Sequence, residues 1–388
     1  MLTTKRNFHY DTIIIGSGIV GLSVAASILE RDPCHNILIL ERSFVPESAS
    51  TRNAGFACVG SLTENLVDLE VLGEEGCINL IKMRYLGLLK LRERLGDENI
   101  GYKGQGGYEM IDEEGLKYLP EMDRMNKLLS PIFGGEPFEL VNDKIEEFGF
   151  SKKHVKALIK HKYEGQIDSG KTIKALLQYV RERGAKILTC ANVIEYKKLS
   201  PQSVCVAVEN PTKDPETITF EANNLAICTN AYTKDLIKDF DMVPGRGQVL
   251  ITKPIPGLKI KGIFFYDKGF YYFRDHEGRL LFGGGRNLDF QGERTFEKKT
   301  NDKIIDNLIR LLKEVILPGV DFEIDMKWAG IMSFGEKTRG PVITNLDENI
   351  FTAVRLSGMG MAISSFAGER IAEMILSRKK AETLWPRL

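Results

Sequence analysis

The sequence predicts an α/β chain, α+β over its whole length, in which a domain on a parallel sheet is joined to a discontinuous domain on an antiparallel sheet. Three observations predict it. The first forty residues read as strand, glycine-rich turn, helix and second strand. Short β-branched and aromatic runs at 248–251, 263–266, 270–273 and 280–283 lie between turn residues, the pattern of an antiparallel sheet. At the far end, 350–354 reads as a strand, 358–361 as a turn, and 362 to about 377 as a helix with Ala367, Ile371, Met374 and Ile375 on one face.

Each N-terminal element has a physical reason. Ile13, Ile14 and Ile15 form the continuous apolar run of a strand covered on both faces. Gly16 permits a tight turn, Gly18 lets a pyrophosphate approach the backbone, and Gly21 lets the helix pack closely on the strand. Ser17, Ile19 and Val20 complete that turn, and the helix from Ile19 to about 30 aims its free N–H groups and positive dipole end at phosphates. Residues 37–40 form the next strand, and Glu41 lies twenty residues past Gly21, where a carboxylate accepts hydrogen bonds from an adenosine ribose. Taken alone, Glu41 is a solvated strand-end acid; in this setting the whole reads as a Rossmann-like dinucleotide-binding unit, with Arg42 and Ser43 as further polar groups. Ser50, Thr51, Arg52, Asn53, Ala54, Gly55 and Phe56 form a small, hydroxylated segment able to lie along a cofactor and give it N–H groups and hydroxyls. As a plain loop the same segment would be unremarkable.

These motifs resemble the D-amino-acid-oxidase (DAO) family of FAD-dependent oxidoreductases, the group of glycine oxidase, sarcosine oxidase and D-amino-acid dehydrogenase. The resemblance extends over nearly the whole chain. Residues 50–55 resemble the family's second flavin-contacting loop, and 100–110 its first substrate-domain strand pair. Residues 165–168, the helix after them, 184–187 and Val193 resemble the return to the FAD domain. Residues 225–231 resemble a strand and turn usually written Ala-Thr-Gly, which brings Thr229, Asn230 and Ala231 to the cofactor. Asn230 stands where the family commonly has glycine, and asparagine tolerates left-handed backbone better than most residues. The C-terminal strand–turn–helix, with Gly358, Met359, Gly360, Met361 and Ala362, resembles the unit that sets a helix N-terminus near the flavin pyrimidine. A dipole there would stabilise negative charge on the reduced flavin. Seen alone, it is an ordinary terminal βα unit.

The resemblance implies FAD as cofactor. Ile331 stands where sarcosine oxidases attach flavin through a cysteine, which implies non-covalent binding. The reaction implied is hydride removal from the carbon bearing the amine of an amino acid or related amine, to flavin N5. Oxidation of a 2-hydroxy acid on the same scaffold, or a catalytically silent flavin-binding subunit, are the alternatives. The electron acceptor would be dioxygen, a quinone or a carrier protein. Amino-acid-oxidising relatives such as glycine oxidase carry an arginine two residues after the glycine that matches Gly330; here Met332 stands there. Either the carboxylate anchor has moved, with Arg339, Arg274 or Arg52 as candidates and Arg339 first, or the substrate lacks a simple α-carboxylate. Tyr271 is the candidate substrate-orienting hydroxyl, its alternative being a packed sheet aromatic.

Composition fits a soluble two-domain enzyme of 388 residues. The expected division is 1–80, 150–240 and 328–388 for the FAD-binding domain, with 81–149 and 241–327 for the substrate domain. Lys+Arg and Asp+Glu are both 53, so no basic field draws nucleic acid or an anionic membrane. The start lacks a signal-peptide core, and no eighteen-residue apolar run spans a bilayer. A cytoplasmic location is expected, with docking at the inner face of a membrane through a small apolar loop left open. The six cysteines show no CxxC pair and read as reduced thiols; the five histidines are dispersed, so no metal is expected.

Overall fold

A computed structural model describes residues 9–210, 212–213, 216–338 and 340–377. Its first sheet is organised around His9–Ile15, which pairs in parallel with Ile37–Leu40 on one side and Thr217–Ile227 on the other. Lys186–Leu188 continues the parallel set at one edge, and Ile350–Val354 continues it beyond Thr217–Ile227. Val342–Asp347 closes that edge antiparallel, while Val193–Ser200 and Ser203–Glu209 add an antiparallel hairpin to Thr217–Ile227.

The apolar run of the first strand is divided between two cores. Ile14 and Ile39 face a layer of helices that includes Ile19–Arg31, Ser169–Glu182 and Gly360–Ser377. Ile13, Ile15, Leu38 and Leu40 face the hairpin side, against Val204, Val206 and Phe220. Covering both faces is what a continuous, non-alternating strand requires, and each fully buried aliphatic side chain contributes about 1.5–3 kcal/mol.

The second sheet runs in the order Ile324–Phe334, Val243–Thr252, Arg279–Gly284, Tyr271–His276, Ile263–Tyr266, Gly107–Ile111, Ala157–His161 and Phe138–Leu140. All of its neighbours are antiparallel except Ile263–Tyr266 with Gly107–Ile111, which are parallel. Three expected boundaries shift. Ala157–His161 hydrogen-bonds to Gly107–Ile111, so the second sheet draws on chain beyond 150. Ile324–Phe334 pairs along Val243–Thr252, so 328–334 also belongs to it. The boundary at 80 falls inside the helix Leu62–Leu95, whose single break is at Gly73, with φ 70°. In the first two cases an unpaired apolar strand would bury unsatisfied backbone groups, and the ladder resolves this by extending the sheet.

The two sheets are tied together at the loop 52–56. Arg274 is 6 % exposed, and its Nε donates to the Ala54 carbonyl at 2.5 Å while Nη1 donates to Gln166 Oε1 at 2.8 Å. Trp328 Nε1 donates to the Arg52 carbonyl at 2.9 Å. Among the described residues no helix is long and apolar enough to cross a membrane. Arg274→Met would leave two buried acceptors unmet. It is expected to lower the unfolding free energy by about 3 kcal/mol in denaturant titration and to weaken cofactor retention, with turnover per bound cofactor unchanged.

Candidate functional site

Two clefts meet where the sheets face each other. The outer cleft, open to solvent, is built on the first strand–helix–strand unit. Gly16, Gly18, Ile19 and Val20 line it from the turn, and Glu41, Arg42 and Ser43 line it from the end of the second strand. Val193, Thr229, Asn230 and Ala231 close it from neighbouring strand ends. The inner cleft shares Ile19, Val20, Ser50, Arg52 and Asn230 with the outer one. Asn53, Ala54, Phe56, Gly330, Met332 and the turn of Gly358, Met359, Gly360 and Met361 supply further wall. The shared residues make the two clefts continuous, and two clefts in series suit a longer molecule with one polar and one apolar end.

The outer cleft depends on close backbone approach. Gly16 sits at φ +103°, and a Cβ there would lie 2.8 Å from the Cys228 carbonyl oxygen; a Cβ on Gly21 would collide with the Gly16 carbonyl. The helix Ile19–Arg31 starts at Gly18, which has no side chain to cap it, so its positive end faces the cleft. Ser50 Oγ accepts the Ile19 N–H at 3.0 Å. Glu41 is held by three donors: Ser17 N (3.0 Å) and Ser17 Oγ (2.8 Å) on Oε2, and Ser43 N (2.9 Å) on Oε1. Oε1 keeps acceptor capacity for a ribose hydroxyl. Asn230 adopts φ +44°, the left-handed conformation its substitution for glycine predicts, and its Oδ1 accepts Ser333 Oγ (2.5 Å) and Arg355 N (3.1 Å). At the junction of the clefts Arg52 pairs with Glu47, but its buried Nε has no partner among the described residues. A buried donor of this kind calls for an acceptor from a ligand, and a phosphate-bearing dinucleotide carries such groups.

The sequence profile of the FAD-dependent oxidoreductases (DAO) matches residues 11–374. The chain belongs to the DAO family of FAD-dependent oxidoreductases. This DAO-family enzyme is 24 % identical over 388 residues to gamma-glutamylputrescine oxidoreductase of Escherichia coli, covering 96 % of this chain and 85 % of that one. Its fold is shared with the solved structures of glycine oxidase from Geobacillus kaustophilus (TM-score 0.75, 20 % identity, 96 % of each chain) and of iminodiacetate oxidase from a Chelativorans species (TM-score 0.78, 15 % identity, 96 % and 97 % of the chains). The family implies FAD, and the two clefts with their glycine turn, Glu41 and the unmet Arg52 donor fit that group.

Several expected site residues of this DAO-family chain brace the clefts without lining them. Ser17 holds Glu41, and Gly21 packs the helix. Thr51 Oγ1 donates to the Pro46 carbonyl at 3.0 Å, Gly55 abuts the Ile167 carbonyl, and Ala362 is buried against the long helix at Gly87. Arg339 lies outside the described residues. Two catalytic expectations are corrected. Arg274 is consumed by Ala54 and Gln166, so it is a brace between the sheets and no carboxylate anchor. Tyr271 points into the second sheet's core beside Phe273 and Phe282, its hydroxyl accepting from Asn307 Nδ2 at 3.0 Å. The neighbour Tyr272, on the opposite face, lines the inner cleft instead. Strand alternation gives the period but not which phase faces the cleft.

The sequence reading also missed Cys58, Glu64 and Phe265, all of which line the inner cleft. Phe56 contacts Phe265 edge-on at 5.5 Å between centroids and Tyr272 at 5.6 Å, so the three rings form one wall. Burial pushes the Tyr272 hydroxyl up to about 12 and the Cys58 thiol well up, keeping both protonated. Glu164 holds the segment beside Cys58 from behind: its Oε1 accepts Val59 N (2.7 Å) and Gly60 N (3.0 Å). Burial raises Glu164 to about 8, against those two bonds. Its folded value lies above its ordinary one, so the native state keeps a proton that the unfolded chain loses. Stability therefore falls as pH rises from about 5 through about 8, then levels off. Glu164→Gln keeps the acceptor and removes the titration. It is expected to flatten the decline in unfolding free energy between pH 6 and 9 by an amount on the order of a few kcal/mol, read by denaturant titration at each pH.

Proposed function

We propose that this chain is an FAD-dependent oxidoreductase that removes hydride from a carbon bearing an amine. FAD, when bound, supplies the hydride acceptor at flavin N5. The first sheet serves as the FAD-binding domain, with the outer cleft taking the adenosine and pyrophosphate and the inner cleft the flavin and the substrate. Binding is non-covalent: Ile331 lines the outer cleft and carries no nucleophile, and the Cys58 thiol is held protonated by burial. The start of the helix Gly360–Ser377 lies at the inner cleft, where its positive end favours negative charge gained on reduction.

The observation that carries this reading is the chemistry of the inner cleft. Its wall is aromatic and thioether, from Phe56, Phe265, Tyr272, Met332, Met359 and Met361. Met332 takes the position of the carboxylate-anchoring arginine that the family resemblance points to in amino-acid oxidases. Arg52, the one cation among the described lining residues, is paired with Glu47. An apolar, water-excluding wall suits hydride loss from an amine that binds without a bidentate carboxylate clamp. The relative that acts on gamma-glutamylputrescine supports an amine substrate.

Anaerobic visible spectroscopy of the purified enzyme tests the reading. Amines are expected to bleach the oxidised flavin band; bleaching by 2-hydroxy acids alone would replace this reading with alcohol oxidation. Bound flavin that no member of an amine, amino-acid, N-methyl-amino-acid and hydroxy-acid panel reduces would mark a silent subunit. Air then distinguishes dioxygen from a quinone or carrier as acceptor. Met332→Arg is expected to tighten binding of α-amino acids about tenfold or more, measured by the concentration dependence of bleaching.

A further inference from the structure

Two charged side chains, Arg52 and Glu64, line the inner cleft among the described residues. Arg52 also belongs to the outer cleft and is paired with Glu47. Glu64 lines the inner cleft alone. It is the third residue of the helix Leu62–Leu95, partly exposed, and its Oε2 accepts the Ser61 N–H at 3.1 Å. Across from it the chain turns at Gly269, φ +76°, where a Cβ would lie 2.5 Å from Glu64 Oε1. A side chain at 269 would collide with this carboxylate, so the turn packs directly against Glu64. Phe265 and Tyr272 flank that turn in the chain, and with Phe56 they form the aromatic wall of the same cleft.

A carboxylate beside a wall of aromatic rings is the chemistry that recognises an ammonium group. The carboxylate supplies charge and acceptor atoms, and the rings supply a quadrupole that attracts cations. The same surroundings repel a substrate carboxylate. We propose that Glu64, with the rings of Phe56, Phe265 and Tyr272, forms an ammonium subsite, so that the substrate arrives as a cationic alkylamine with no carboxylate beside the reacting carbon and gives up its ammonium proton, to Glu64 or to water, before hydride leaves the neutral amine. This assignment rests on the amine reading above and narrows it.

The groups that act on Glu64 are few. Arg84 lowers it but is occupied by Asp68 (3.1 Å) and the Val59 carbonyl (3.0 Å); Asp68 raises it. Glu109 and Glu164 behind the cleft and Cys58 in its wall sense its charge, and burial keeps Cys58 protonated and raises both carboxyls. Burial outweighs the Ser61 bonds and Arg84, and raises Glu64 from its ordinary value. Ammonium binding needs the ionised form, so affinity for an amine falls as pH drops through that raised value.

The test uses the FAD-loaded enzyme and three probes, n-butylamine, 1,4-diaminobutane and butyrate. Dissociation constants come from the flavin band, by its perturbation or by the saturation of its anaerobic bleaching. Both amines are expected to bind at least about tenfold tighter than butyrate, with an acidic limb in the pH profile of amine affinity. Glu64→Gln keeps an acceptor for the Ser61 N–H, so the helix cap survives. It is expected to weaken amine binding roughly thirtyfold or more, leave butyrate binding no weaker, and abolish the acidic limb. Butyrate binding as tight as the amines, no binding of any amine probe, or an unchanged pH profile in Glu64→Gln would overturn the proposal. Amines that bind through Glu64 without ever bleaching the flavin would refute the amine-oxidation reading and leave the subsite standing. Amines that bleach wild type and Glu64→Gln with equal dissociation constants would do the reverse.

Discussion

The site depends on one constraint: the loop 52–56 must be gripped at once by the second sheet and by the helix layer of the first. Its Gly55 carbonyl accepts the Ile167 N–H at 3.0 Å, and the carbonyls of Arg52 and Ala54 need other donors. Arg274 and Trp328 from the second sheet supply the missing donors to Ala54 and Arg52. Asn53 supplies the next link, its Oδ1 accepting the Gly55 N–H at 2.9 Å and the Ser169 hydroxyl at 2.6 Å. With the loop fixed, Ser50 and Arg52 reach both clefts, and Ala54 and Phe56 become part of the inner wall. Buried polar groups are costly unless fully bonded, so this junction has little freedom to rearrange.

The inner cleft is kept electrically quiet except at two places. Tyr272 and Cys58 stay protonated because burial penalises their charged forms, and the carboxyls of Glu109 and Glu164 behind them are raised to about 7 and about 8. In such low-polarity surroundings the remaining charges act strongly. The end shared with the outer cleft has the Arg52–Glu47 pair and the positive helix terminus, suited to flavin and phosphate. Glu64 lines the inner cleft and not the outer one.

The parts legible in the sequence are those set by local chemistry. Gly16 and Gly21 are required by backbone approach within a few residues, so their spacing announced the turn, and the acid at 41 followed from the strand's length. Asn230 was legible too, since few other residues accept left-handed backbone, and it occurs at φ +44°. What failed depended on tertiary phase. The strand 271–276 has period two in sequence, but only the packed sheet decides that Tyr271 faces the core and Tyr272 the cleft. Arg274 looked like a free cation because its acceptors, Ala54 and Gln166, lie more than a hundred residues away. Glu64 left a signal in Ser61-x-x-Glu64, a capping box that marks the helix start. That pattern tells where the helix begins, not what its third residue faces.

The central claim is that the two clefts hold one FAD without a covalent bond, and the most direct measurement is release of the chromophore from the purified protein. Acid denaturation followed by mass spectrometry of both fractions is predicted to yield free, intact FAD and a polypeptide of unmodified mass. A polypeptide heavier by a flavin, a released flavin lacking the adenosine half, or a protein that neither carries nor takes up FAD would contradict the account.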